Sequence, residues 1–362
     1  MPSKPHSPFL LTPIAVPRVW GGRRLLDEIH PELISDAPRD ADGELLPIGE
    51  TWDVSDVGDD PALHSRIASG PRAGDTLRTL LREDPSGVLG SAGRGASPTG
   101  EPELPLLFKF IDAREDLSVQ VHPSDALLAE RGLEGRGKSE AWVILDAAPG
   151  SRLIVGFEEG WDFARYLRAA RAGRGEQGLR AVPVTRGDVI ELPAGLVHAI
   201  GGGILLAEIQ QSSDITWRLH DWDRLGLDGA PRALHLDACE GITPPRPEPP
   251  CPLPPIPASA GLRRAIDGEH FRLELVGGRD FDPTGGEGVV LRRRPDRFGI
   301  LALLEGAATV VGQPGEELAL RAGSVLFVPA SSPPSLRLQV EGPLWALWME
   351  PGGGSGPVAA DD

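Results

Sequence analysis

Short apolar segments separated by polar and turn-forming residues run along most of the chain. From residue 104 onward they lie at 106–111, 117–121, 141–145, 152–155, 188–192 and 204–209. Gly, Pro and Asp stand between them. Several short strands at this spacing, bounded by turn residues, are typical of a β-sandwich or β-barrel. The pattern therefore predicts a mainly β fold.

Helical periodicity is confined to a few short stretches, at about 75–83, 124–131 and 162–171. In the last of these, Phe163, Tyr166, Leu167 and Ala170 recur at helical spacing, and Asp162 can cap the N-terminus. We expect these helices to decorate a β framework.

A proline-rich segment at 244–257 separates two β-rich blocks. Proline at most of these positions excludes a helix or a central strand and favours a stiff, extended connector. The predicted organisation is an N-terminal domain at 1–243, a linker at 244–257, a C-terminal domain at 258–350 and a disordered tail at 351–362.

The net charge of −17 argues against a general affinity for nucleic acid or for anionic membranes. It is compatible with a local basic pocket, because the field in a pocket comes from its nearest charges. No apolar stretch reaches the length of a membrane span or of a signal peptide, and two cysteines are too few for a disulfide framework. We expect a cytoplasmic protein that is a monomer or a weak homo-oligomer.

The spacing of residues 187–198 predicts a turn followed by two strands. Gly187 opens the turn, 189–192 form a strand, and Pro193 ends it. Gly195 permits a tight reversal, and the next strand carries His198 inward. This is the spacing of the second cupin motif: Gly, five residues, Pro, any residue, Gly, two residues, His.

An upstream strand offers two more ligand types on one face. Side chains at i and i+2 of a strand share a face, so Gln120 and His122 point together. With Glu140 and His198 they make a candidate site for a divalent metal. Two imidazoles, one carboxylate and one amide oxygen suit zinc, and these ligand types also accept Mn, Co or Fe.

The second block repeats part of the motif without its histidine. Residues 323–329 keep the Gly-five-Pro spacing, but Ser331 and Pro334 stand at the places of Gly195 and His198. We interpret this block as a degenerate, metal-free cupin.

Residues 208–224 are unusually dense in polar side chains between β-forming residues. They follow the strand of His198 through a Gly201–Gly203 turn, so we expect the two strands to form a hairpin. Arg218 then lies near the metal, where its guanidinium can bind an oxyanion through two parallel hydrogen bonds.

These stretches resemble a known family, the type I mannose-6-phosphate (phosphomannose) isomerases of the cupin superfamily, in their short bacterial form. The matching stretches are 49–52, 109–123, 137–142, 187–203 and 208–224. The resemblance implies two cupin (jelly-roll) β-barrel domains with a small number of helices. Trp217 and His220 depart from the family, which commonly has Tyr there.

The resemblance also implies roles for individual residues. One Zn²⁺ per chain would be bound by Gln120, His122, Glu140 and His198. Arg218 and Lys138 would be catalytic. The substrate-binding residues would be Lys109, Ser118, Glu208 and Asp214, with Lys109 and Ser118 at the phosphate group.

The implied reaction is the interconversion of mannose 6-phosphate and fructose 6-phosphate through an enediolate. The base stays open among a metal-bound water, Lys138 with a depressed pKa, and Glu208. Two other classes of protein also fit: a different metal-dependent cupin enzyme, either another sugar-phosphate isomerase or a dioxygenase, and a non-catalytic sugar-binding cupin.

Overall fold

The computed structural model describes residues 6–91, 100–243, 250–253, 262–277, 288–312, 317–340 and 342–353. Within these ranges the α-helices are α1 (Leu77–Glu83), α2 (Pro85–Leu89), α3 (Asp125–Glu130) and α4 (Phe163–Arg171), and short π- or 3-10-helical turns lie at Leu25–Ile29, Pro31–Leu33 and Pro61–Leu63. The strands are β1 (Phe9–Thr12), β2 (Ile14–Gly22), β3 (Ile48–Val54), β4 (Arg66–Ile67), β5 (Leu106–Ala113), β6 (Val119–Val121), β7 (Glu140–Ala147), β8 (Arg152–Phe157), β9 (Leu179–Pro183), β10 (Val189–Leu192), β11 (His198–Ile200), β12 (Ile204–Gln211), β13 (Trp217–His220), β14 (Leu262–Asp267), β15 (Phe271–Gly277), β16 (Val289–Arg292), β17 (Gly299–Glu305), β18 (Ala307–Val311), β19 (Leu318–Arg321), β20 (Val325–Val328), β21 (Ser335–Val340) and β22 (Trp345–Pro351). None of the described helices is long and apolar enough to span a bilayer.

The predicted mainly β fold is confirmed, and three of the helices lie where the sequence placed them. Each of these three begins at a capping side chain that accepts a hydrogen bond from a backbone N–H three residues later. The caps are Thr76, Ser124 and Asp162. Such caps satisfy N–H groups that have no partner inside the helix, which is why the helices begin at these residues.

Two sheets form the part of the molecule that holds the site. One has the strand order β10-β7-β12-β5-β2-β3, with β5 also paired to β3, and the other has the order β13-β6-β11-β8-β9. Apolar side chains from both sheets pack into one buried cluster, which includes Trp20, Trp142, Leu153, Ile190 and Ile200. Burial of this cluster holds the two sheets face to face.

The second block also consists of two sheets, in the orders β14-β15-β22-β17-β20-β1-β4 and β16-β21-β18-β19. Its interior is an apolar cluster with members such as Leu291, Leu301, Leu338 and Trp348. That the second block binds no metal stays a prediction.

The first strand of the chain lies in the sheet of the second block. In β1, Phe9 pairs with Phe327 and Leu10 with Leu326 of β20. The division at 1–243 and 258–350 stays a prediction, and this pairing ties the first residues to the second block. Most of the predicted linker and tail lies outside the described residues; within the linker, Leu253 pairs with Val189.

The predicted hairpin between the strands of His198 and Glu208 is wrong. β11 pairs with β6 and β8, whereas β12 pairs with β5 and β7 in the other sheet. The Gly201–Gly203 segment carries the chain from one sheet to the other. Two of its glycines are required there, because Gly203 has φ +82° and a Cβ on Gly201 would clash with the carbonyl oxygen of Arg152.

Candidate metal centre and substrate pocket

Three of the four predicted metal ligands meet between the two sheets. His122 directly follows β6, Glu140 begins β7, and His198 begins β11. The ligand atoms of the three side chains all lie within 4.8 Å of one another, and all three residues are buried. Nε2 of His198 is 3.2 Å from Oε1 of Glu140, and Nε2 of His122 is 3.6 Å from Oε2.

Backbone carbonyls fix the orientation of both imidazoles. Nδ1 of His122 lies 2.8 Å from the carbonyl oxygen of Ile215, and Nδ1 of His198 lies 2.8 Å from that of Leu196. A carbonyl can only accept, so each Nδ1 donates and each Nε2 keeps a lone pair that faces Glu140. Histidine ligands of metals are commonly held by such a hydrogen bond from the other ring nitrogen.

The charges of these side chains fit a divalent cation. Burial and the nearby ammonium of Lys138 lower the pKa of His198 to about 4, and the same two causes lower the pKa of His122. Both rings are therefore neutral at neutral pH, as metal binding requires. Burial and the neighbouring carboxylate of Glu208 raise the pKa of Glu140. A bound cation would reverse that shift.

The fourth predicted ligand, Gln120, lies on β6, the strand that pairs with the His198 strand β11. Its Cα is the register partner of His198 on one side and of Arg218 on the other. Gln120 also lines the pocket that opens beside the metal centre. Gln120 therefore lies between His198 on β11 and Arg218 on β13, at the same register position of the sheet.

Paired charges extend from the metal centre along the pocket floor. Nζ of Lys138 is 2.8 Å from Glu140 and 4.0 Å from Glu208. Nζ of Lys109 is 3.2 Å from Glu208 and 3.7 Å from Glu50. Beyond Glu50, Nε of Arg18 lies 3.0 Å from the carboxylate. We name this row the charge ladder: Glu140, Lys138, Glu208, Lys109, Glu50 and Arg18.

The ladder fixes the protonation states of its members. Burial opposes the charge of Lys138, but Glu140 and Glu208 outweigh it and raise its pKa. Burial likewise opposes ionisation of Glu208, yet Lys109, Lys138 and a 2.7 Å hydrogen bond from Nε1 of Trp142 lower its pKa. Without a bound metal, these charges favour a protonated Lys138 and an ionised Glu208.

A pocket of about 390 Å³ opens above the ladder. Among its lining residues are seven predicted site residues, namely Lys109, Ser118, Gln120, Lys138, Glu208, Asp214 and Arg218. Ser118 is buried, and Asp214 is exposed at the rim. His122, Glu140 and His198 are not among the lining residues and are almost completely shielded from solvent.

Arg218 is held from two sides. Its backbone N–H donates to Nδ1 of His235 at 3.0 Å, and its guanidinium donates to the carbonyl of Ala233 at 2.9 Å. Its buried Nε makes no hydrogen bond to the described residues. Burial and the positive charge of Arg232, followed by smaller effects that include Arg18, lower the pKa of Arg218.

Three charged lining residues were not given a role by the sequence: Arg18, Glu50 and Arg232. Arg18 precedes Trp20 by two residues in β2, so both share a face, and both line the pocket. The alternation along β2 could therefore have placed Arg18 on the same face as Trp20 from the sequence alone. Arg232 follows β13 along the chain and lies outside the strands, so no sequence periodicity predicts its position.

The fold and the site together define a mainly β protein with a candidate metal centre beside a pocket lined by several cations. A family model described as phosphomannose isomerase type I, catalytic domain, matches residues 9–134. A probable mannose-6-phosphate isomerase of Bacillus subtilis is 36% identical over 242 residues, which are 65% of this chain and 68% of that protein. A mannose-6-phosphate isomerase of Streptococcus mutans is 35% identical over 222 residues, which are 61% of this chain and 62% of that protein. The chain belongs to the type I mannose-6-phosphate isomerase family.

Solved structures show the same fold along nearly the whole chain. The crystal structure of the mannose 6-phosphate isomerase from Bacillus subtilis has a TM-score of 0.74 and 26% identity, and the match covers 95% of this chain and 99% of that chain. A zinc-bound mannose 6-phosphate isomerase has a TM-score of 0.66 at 18% identity, covering 96% of this chain and 100% of that one. The sequence matches to the curated relatives span about two thirds of their length, from 62% to 68%.

Proposed function

We propose that the protein is a zinc-dependent isomerase that interconverts mannose 6-phosphate and fructose 6-phosphate through an enediolate. The observation that carries the proposal is the buried group of His122, Glu140 and His198 beside a pocket lined by cations. Neutral imidazoles and a carboxylate suit zinc. A pocket lined by several cations in a strongly acidic chain suits an anionic substrate.

Zinc held by these three residues and Gln120 would act as a Lewis acid towards the oxygens of the sugar. Arg218 donates from the pocket wall to the oxygen that becomes negative in the enediolate, where a preorganised donor in a dry pocket is most effective. Protonated Lys138 adds a positive charge at the same end of the pocket.

Glu208 is the side chain best placed to move the proton. It is ionised, lines the pocket, and lies next to Lys138. We propose that its carboxylate takes the proton from the carbon beside the carbonyl and returns it to the former carbonyl carbon, while the hydroxyl proton on the first carbon passes to the former carbonyl oxygen. The bonds broken and formed then balance without an external oxidant or reductant. Trp142 and Lys109 hold the carboxylate in place during both transfers.

A coupled assay that converts mannose 6-phosphate to fructose 6-phosphate tests the function directly. We expect turnover that is lost after dialysis against a chelator and restored by Zn²⁺. The protein should consume no oxygen under the same conditions, which separates the isomerase from a dioxygenase. A zinc-loaded, folded protein without turnover of mannose 6-phosphate would refute the proposal.

A further inference from the structure

The charge ladder ends at a guanidinium on the pocket rim. Arg18 lies at the opposite end of the ladder from Glu140, and its side chain is one third exposed, whereas Lys109 and Lys138 in the middle of the ladder are buried. Glu50, which holds Arg18, also accepts a 2.6 Å hydrogen bond from Nε1 of Trp52 and receives the charge of Lys109. Arg18 is thus the most exposed cation of the ladder. Three of its five N–H groups donate to Glu50 and to the carbonyl of Pro17, and the other two have no partner among the described residues.

A second guanidinium, that of Arg232, lines the same pocket. Arg232 donates from Nε to Asp221 at 2.7 Å, and Arg224 shares that carboxylate at 2.9 Å. Two guanidiniums therefore compete for one carboxylate, so Asp221 does not neutralise both. The Arg232 side chain is only 20% exposed, which makes its position well defined.

Five of the residues that line the pocket are cations, namely Arg18, Lys109, Lys138, Arg218 and Arg232, and three are carboxylates, namely Glu50, Glu208 and Asp214. Two further carboxylates, Glu140 and Asp221, pair with Lys138 and Arg232 from outside the lining. Guanidiniums bind phosphate oxygens through paired hydrogen bonds, which a single ammonium cannot do.

We propose that Arg18 and Arg232 form the phosphate-binding end of the pocket and set its preference for a phosphorylated sugar. This inference rests on the proposed isomerase function. Lys109, placed at the phosphate by the family resemblance, instead lies between two buried carboxylates. It acts as a positioning residue for Glu208 and Glu50, while the two arginines contact the ligand. The reacting carbons then lie at the opposite end, beside the metal ligands.

The test compares Arg18→Gln and Arg232→Gln with a matched control, Arg337→Gln, which removes an exposed guanidinium from β21 in the second block. Steady-state kinetics with mannose 6-phosphate and with mannose, and inhibition by inorganic phosphate, are measured for each. Loss of a hydrogen bond to a charged group should raise KM for mannose 6-phosphate by about tenfold or more. We expect kcat to change less, because the phosphate is bound equally in the ground state and the transition state.

Inhibition by phosphate should weaken in parallel with KM, and activity on mannose 6-phosphate should fall more than any activity on mannose. Arg18→Lys and Arg232→Lys, which keep the charge, should recover part of the affinity and serve if a glutamine variant does not fold. Unchanged KM and unchanged phosphate inhibition in both glutamine variants would overturn the inference, as would an equal loss of activity on mannose and mannose 6-phosphate. If the wild-type protein does not turn over mannose 6-phosphate, the proposed function fails, and calorimetric titration with phosphate still decides whether the two arginines bind the anion.

Discussion

The ammonium of Lys138 lies 2.8 Å from a carboxylate oxygen of Glu140 and 3.1 Å from Nε2 of His122. The positive charge of Lys138 therefore lies at the edge of the candidate metal centre. It repels a second cation there, so Lys138 costs the site some of its metal affinity. Its presence is reasonable only if the charge serves another purpose, such as stabilising a negative substrate oxygen.

Replacing Lys138 should separate these two effects. We expect Lys138→Met to bind zinc at least as tightly as the wild-type protein, because the competing charge is removed. We expect kcat to fall by about 100-fold or more, because a preorganised charge at the reacting oxygens is lost. Zinc titration and steady-state kinetics give the two numbers. Weaker zinc binding in this variant would show that the lysine supports the ligands instead.

Removing an imidazole should abolish metal binding and turnover together. His198→Ala deletes one of three buried ligand side chains and leaves Glu140 facing a void. We expect zinc content, measured by elemental analysis after gel filtration, to fall with activity. His270→Ala, in the second block, is the control and should keep both. Full zinc occupancy in His198→Ala would contradict the ligand assignment.

Arg218 should affect turnover far more than metal binding. Its guanidinium donates to the carbonyl of Ala233 and lines the pocket, and among the described residues it makes no hydrogen bond to a predicted metal ligand. We expect Arg218→Ala to lower kcat by about 100- to 1,000-fold, the usual effect of losing one donor to a developing oxyanion. Zinc content should stay at the wild-type value. Unchanged turnover with full zinc occupancy would reject the role.

Lys109 should contribute to stability through its two carboxylates. In Lys109→Met, Glu50 and Glu208 remain buried without their shared cation, which should lower the free energy of unfolding by about 3–5 kcal/mol. The double variant Lys109→Met, Glu208→Gln should recover part of this loss, because one uncompensated charge is removed. Urea denaturation of the two single variants and the double variant measures the coupling. Strictly additive effects would show that the two side chains do not interact.

A buried imidazole outside the pocket should make stability depend on alkaline pH. Nε2 of His30 lies 2.8 Å from Asp53, and both side chains are 1% exposed. Burial alone would lower the pKa of His30, but Asp53 and Glu32 outweigh it and raise the pKa to about 9. Burial raises the pKa of Asp53 despite His30, so this carboxyl adds no loss of stability in acid.

Between pH 6.5 and about 9 the folded protein keeps a proton on His30 that the unfolded chain has released, so protonation favours the folded state. The stabilisation is complete below pH 6.5 and is lost as the pH rises through about 9. We expect the free energy of unfolding to fall by roughly 3 kcal/mol over this range. His30→Gln should lack this slope in urea denaturation at several pH values. A variant with the same pH dependence as the wild-type protein would place the titrating group elsewhere.

The local parts of the site could be predicted from the sequence because their geometry is local. The i, i+2 relation of Gln120 and His122, and the Gly195 reversal before His198, depend only on backbone rules. Helix α4 was predictable for the same reason, since its cap and its apolar stripe lie within ten residues of each other. The mainly β class followed from the spacing of apolar segments.

Strand partners were not predictable in the same way. The hairpin after His198 seemed natural from the short glycine turn, but β12 finds its partners in β5 and β7, about 60 to 100 residues earlier in the chain. The nearness of Arg18 and Glu50 to Lys109 depends on β2 and β3 lying beside β5. Nothing in the local pattern of either strand carries that information.

The pairing of Phe9 with Phe327 has a consequence for how the protein is made. The opening strand leaves the ribosome early, yet its partner β20 is synthesised more than 300 residues later. Until then the nascent chain carries an unpaired, apolar strand edge, which is the kind of surface that aggregates or recruits chaperones. Completion of this sheet must therefore await the synthesis of β20, and premature termination before β20 should yield insoluble product even when every residue of the candidate metal centre has already been translated.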